Sequence, residues 1–201
     1  MSDLAEWFTF GAEMIVAGVL YLEFERNRRM KFIEQATDRN AMKDRLAVYK
    51  AFCALPDSSV SARSRTFAEH LKGEAGEAVR AQCEAQLSLL NAFGFETSRW
   101  FSFNRDLRHL FPHGPVRMGI ILHQYLGDEL SRSGPLNARH AMSFILRCID
   151  IVRETRASIT ISYGGRDIPI EDKDLEALKA DLEQWTTSSI THKGSKIRKR
   201  S

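Results

Sequence analysis

The chain has 201 residues, 43% hydrophobic and 27% charged, with a formal net charge of +3. That suffices for one hydrophobic core of ordinary size and excludes a wholly disordered or strongly acidic chain. The 3 cysteines, Cys53, Cys83 and Cys148, are widely spaced in apolar surroundings, which excludes a disulfide framework or CxxC zinc pair and predicts reduced core thiols in a cytosolic compartment.

Leu4 to Phe24, LAEWFTFGAEMIVAGVLYLEF, contains no Lys, Arg, Asn, Gln or Pro. A bilayer core of about 30 Å needs about 20 mostly apolar residues in a helix, so this stretch predicts a single membrane-inserting helix. Trp7 and Tyr21 stand near its ends, where amphipathic rings favour the interface. Glu13 falls mid-span and costs about 2.5–3.5 kcal/mol on insertion scales, so it would be protonated, solvated or paired in an oligomer. Gly11 and Gly18, two turns apart on one stripe, would let a second helix approach closely. The N-terminal flank carries Asp3 and Glu6, whereas Arg26, Arg28, Arg29 and Lys31 follow the span. The positive-inside rule then puts the N-terminus outside the inner membrane and the rest in the cytoplasm, with those four cations at the lipid surface. The same residues would also suit an interfacial helix, an oligomer core or a helix buried against protein.

The helical pattern continues through Met30, Ile33, Met42, Leu46, Tyr49 and Phe52-Cys53 to a stop at Leu55-Pro56-Asp57, with a break near Asp38-Arg39-Asn40. Positions 42, 46, 49 and 53 make its apolar face. Ser58-Ser59 begins a short helix to about Leu71, Gly73 to Gly76 is a hinge, and a longer helix runs from Glu77 to Phe93 or beyond. The dense aromatics Phe93, Phe95, Trp100, Phe101, Phe103 and Phe111 read as a helix-helix junction, with a ligand pocket as the alternative. Pro112-His113-Gly114-Pro115 predicts a turn, and Val116 to Leu130 a helix. Asn137 caps the next helix, which runs to about Arg156. Ser158 to Tyr163, Gly164-Gly165 and Arg166 to Ile170 predict a β-hairpin with a two-glycine turn and Pro169 on an edge. A lone hairpin is marginal in water, so it must lie on the bundle or pair with another subunit. Asp172 to Trp185 is a last amphipathic helix, and the basic residues from Lys193 to Arg200 sit in a tail without a pattern of order.

No Walker loop, GxGxxG, HExxH or GxSxG is present, and nothing calls for a cofactor. The one constellation with chemical content is Arg108-His109-Leu110-Phe111-Pro112-His113. It is similar to the Arg-polar-x-x-x-His signature of the HEPN ribonucleases, small helical bundles that usually act as dimers. The resemblance implies that Arg108 and His113 meet their counterparts across a dimer cleft and cut RNA without metal. Such a site needs an imidazole for proton transfer and a guanidinium for the phosphate. The bland reading leaves Arg108 in solvent or at a helix end and His113 in a turn. His109, His113, His123 and His140 lack the spacing of a metal set on one unbroken helix, so no metal is assigned. The basic tail attracts anionic lipid or RNA, or is simply solvated.

The fold expected is mainly α: an N-terminal membrane helix (1–25), a cytosolic helical bundle (26–157), a β-hairpin with an amphipathic helix (158–190), and a basic disordered tail (191–201). In layout it resembles bacterial single-pass membrane proteins with a cytosolic helical domain, including HEPN-like accessory proteins of phage defence. The function expected is that of a membrane-anchored, self-associating interaction or effector protein, with lipid, a second copy and a cytosolic protein as partners. A ribonuclease and a soluble helical adaptor are the alternatives.

Overall fold

The computed structural model describes residues 14, 16, 18–24, 26–27, 30–31, 33–35, 37–56, 59–98, 112–133 and 138–197. The chain divides into two compact units, Met1–Met42 and Lys43–Ser201. In the first unit, the described residues before Asp38 are helical. Among the described residues, no helix is long and apolar enough to cross a membrane. Most of the expected span 4–24, including Gly11 and Glu13, lies outside them. The expected membrane helix is thus not one of the described elements.

Asp38 interrupts the helical run where a break is expected. Its Oδ2 accepts from the backbone N–H groups of Asn40 (2.8 Å) and Ala41 (3.1 Å). These donors have no partner inside a helix, so a carboxylate there starts a new one. This helix, α1, spans Arg39–Ala54. Its buried face is Val48, Tyr49, Phe52 and Cys53. The expected face is therefore corrected: Met42 and Leu46 remain 48% and 51% exposed, and burial is confined to the last two turns.

Ser59 caps α2 (Val60–Lys72) by accepting from the Ala62 N–H at 3.2 Å. A 3-10 turn, Glu74–Gly76, replaces the expected hinge and leads into α3 (Glu77–Ser98). Helix α4 covers His113–Ser133. The predicted turn at 112–115 is thus mostly helix, because prolines are tolerated in a first turn whose N–H groups need no intrahelical acceptor. Helix α5 (Arg139–Thr155) ends on Arg156 in the left-handed region at φ 49°.

Strands β1 (Ile159–Tyr163) and β2 (Arg166–Ile170) pair antiparallel, with Tyr163 opposite Arg166 and Thr160 opposite Pro169. Gly164 and Gly165 connect them at φ 59° and 77°. That is the two-residue turn whose twist suits a hairpin. Ile159, Ile161 and Ile168 are buried, so the hairpin lies on the bundle. Helix α6 runs Asp172–Ile197, carrying helix into the tail expected to lack order.

The core is helical layers. Helices α3 and α5 pack most extensively, α2 lies on α4, and α6 closes over α5 and α4. Phe52 meets Phe67 edge-on at 5.6 Å, and Phe93 meets Phe144 at 6.1 Å. Met142, Ile145, Ile149, Leu178 and Leu182 are fully buried, each stabilising by about 1.5–3 kcal/mol.

Two helix ends are finished by side chains from elsewhere. At the C-terminus of α1, Arg63 Nη1 donates to the Phe52 carbonyl (3.3 Å) and to that of Leu55. Arg166 Nη1 donates to the Cys53 carbonyl at 2.8 Å. Guanidinium groups at a helix C-terminus satisfy bare carbonyls and oppose the negative end of the dipole. At the start of α5 the cap position is Ala138, which has no side-chain acceptor. Asn91 of α3 supplies one: its Oδ1 accepts from the N–H groups of His140 and Ala141, both at 3.1 Å. The expected cap, Asn137, lies outside the described residues.

Candidate functional site

His113 is the first residue of α4 and half-buried, with Arg117 one turn further along the same helix. Helical side chains lean toward the N-terminus, which brings the Arg117 guanidinium back toward the ring. Burial, and then the Arg117 charge, hold the His113 imidazole below its ordinary range. A ring so placed is neutral at pH 7. Its Nδ1 and the Arg117 Nε are both buried, and among the described residues neither has a hydrogen-bond partner.

Across from them on α1, Tyr49 is 8% exposed. Burial raises its hydroxyl above the phenolic range, while the Arg117 and Arg45 guanidinium groups work against that shift. Four side chains from two helices therefore converge: Arg45 and Tyr49 from α1, His113 and Arg117 from α4. A guanidinium carries donors only, so the group as a whole presents positive charge and N–H to whatever enters.

The other expected site residues that are described stand apart from this group. Arg108 lies outside the described residues; among those described, the guanidinium that acts on His113 is Arg117. His109 lies outside them as well. His123 Nε2 meets Asp181 Oδ2 at 2.8 Å and its ring stands 5.8 Å from Trp185, which ties α4 to α6. The His140 ring packs edge-on against Phe95 at 5.2 Å. Among the described residues no group of His, Cys, Asp and Glu could hold a metal. Of the aromatic stretch, Phe93 is core, Phe95 is exposed, and positions from Trp100 to Phe111 lie outside the described residues.

In the first unit, Arg26 and Lys31 are exposed, while Arg28 and Arg29 lie outside the described residues. A Cβ added at Gly18 would meet nothing within 4 Å. A separate groove of about 640 Å³ opens between the end of α5, the hairpin and the start of α6, lined by Val152, Arg153, Arg156, Ser158, Ile159 and Leu175 among others. Arg153 is already engaged by Glu176 at 3.1 Å. This groove is not built from the α1–α4 group.

Arg45, Tyr49 and Arg117 are absent from the sequence-based site. The available signal was the i, i+4 spacing of Arg45 with Tyr49 and of His113 with Arg117, which puts each pair on one helix face. Nothing in either spacing says that the two faces meet.

The chain matches no protein-family model, no curated protein and no solved structure.

Proposed function

We propose that the protein is a membrane-anchored helical protein that self-associates through its N-terminal helix and acts by binding a cytosolic partner rather than by catalysis. One observation carries this reading. Met14, Val16, Val19, Leu20, Tyr21, Leu22 and Phe24 are 51–67% exposed. At about 100° per residue these positions fall on every side of a helix, and an apolar helix of that kind belongs inside a bilayer or an assembly. A single apolar stripe would instead have fitted a surface helix lying on its own domain. Arg26 and Lys31 stand exposed just beyond it, where cations meet an anionic cytoplasmic leaflet. Gly18, open on the same helix, leaves room for a second copy. No RNA or metal enters this reading.

Carbonate extraction of membranes tests it. The native chain is expected to stay in the pellet, and the double substitution Met14→Arg with Val16→Arg to move to the supernatant. Two charges at mid-helix oppose insertion by about 5–7 kcal/mol on insertion scales. A native chain recovered wholly in the carbonate supernatant overturns membrane anchoring.

A further inference from the structure

The α1–α4 junction holds chemistry that membrane anchoring does not use. Tyr49 is nine-tenths buried, and the charges of Arg117 and Arg45 both act on its hydroxyl. His113 Nδ1 and Arg117 Nε are buried without a hydrogen-bond partner among the described residues. Native structures pair the great majority of such atoms, and a buried donor left unmade costs about 1–3 kcal/mol. Finding both in one group, one turn apart, points to an acceptor that the described side chains do not supply.

The charge balance says what kind of acceptor. Among the described residues, neither Arg45 nor Arg117 makes an ion pair. No carboxylate among the described residues acts on Tyr49 or His113 either. An anion from outside would therefore meet two guanidinium groups, a phenol hydroxyl and an imidazole, with no acid among them to compete. A guanidinium fork matches the oxygens of a phosphate, and a tetrahedral anion can accept from several directions at once.

We propose that Arg45, Tyr49, His113 and Arg117 form a binding site for a phosphate group at the junction of α1 and α4. Arg117 is the central ligand, Arg45 supplies the second positive charge, and the Tyr49 hydroxyl stands beside both. His113 donates from Nδ1 in the tautomer that carries a proton there. The site is independent of the membrane reading, and it requires no cleavage of the bound group.

Calorimetric titration of the full chain in detergent with inorganic phosphate tests the site, alongside NMR of the histidine ring nitrogens. Saturable binding with a shift of the His113 ring signals is expected. Arg117→Gln and Arg45→Gln should each weaken it tenfold or more, and Lys179→Gln, on α6, should leave it unchanged. Tyr49→Phe keeps the packing and removes only the hydroxyl, so a several-fold loss there supports the site even if Arg117→Gln fails to fold. A short-chain phosphatidic acid, below its micelle concentration, identifies the source. Binding ten times tighter than phosphate assigns a lipid headgroup, and equal binding assigns free phosphate. Absence of saturable binding by both probes overturns the proposal, as does binding that Arg45→Gln and Tyr49→Phe leave intact.

Discussion

At the scale of single residues, the junction between α3 and α5 is the least forgiving place in the chain. A Cβ built on Gly94 would stand 1.8 Å from the His140 carbonyl oxygen. That atom is backbone, fixed in the first turn of α5, and cannot rotate away. Overpacking a core costs typically about 1–3 kcal/mol, more where the neighbour cannot yield. Gly94→Ala is therefore expected to destabilise by about 3 kcal/mol or more in denaturant melts, whereas Gly114→Ala, with open space, should fall within about 1 kcal/mol of neutral. Equal effects from the two would mean that α3 and α5 do not approach as closely as this. Asn91 belongs to the same contact, since its carbonyl caps α5 from one turn before Gly94. The two residues explain each other: close approach lets Asn91 reach the helix end, and glycine permits close approach.

At the scale of elements, local signals were legible and contacts between elements were not. Ser59 before α2, the break at Asp38 and the hairpin with its glycine pair all follow from chemistry within a few residues. The caps supplied by Asn91, Arg63 and Arg166 come from other elements, and no window of sequence contains both members. The apolar face of α1 was misread for the same reason. Periodicity names Met42 and Leu46 as well as Tyr49 and Cys53, but neighbouring elements cover only its last two turns. The group around Arg117 was hidden because its halves stand on helices far apart in the chain. The hairpin offers a test of the local kind. At φ 59°, Gly164→Asn should be nearly neutral, because asparagine tolerates the left-handed region. Gly165→Ala, at φ 77°, should cost about 1–2 kcal/mol in denaturant melts. Should both prove neutral, the turn is not of the type that holds both residues at positive φ.

At the scale of the whole molecule, the thiols couple the core to pH. Cys83 on α3 and Cys148 on α5 are fully buried and unbonded. Burial pushes both up to about 12 and also raises Cys53. In the unfolded chain these groups titrate from about pH 9, so between there and the folded values the native state holds protons that the unfolded state has released. Stability must then fall as pH rises, by up to about 1.4 kcal/mol per pH unit for each fully buried thiol, and be unaffected by them below about pH 8. Raised hydroxyls at Tyr49 and Tyr125 act in the same direction from pH 10 upward. Measurement between pH 8 and 10 is therefore the window that isolates sulfur. The denaturation midpoint is expected to drop across it, and Cys148→Ala should flatten the slope while lowering stability at pH 7 through the volume it removes. Thiol reagents should modify Cys83 and Cys148 only as fast as the core opens, since both attack and oxidation require the thiolate. A flat pH profile with rapid labelling would mean that α3 and α5 do not enclose their sulfurs, and that the packing on which the Asn91 cap and the Gly94 contact depend is looser than described.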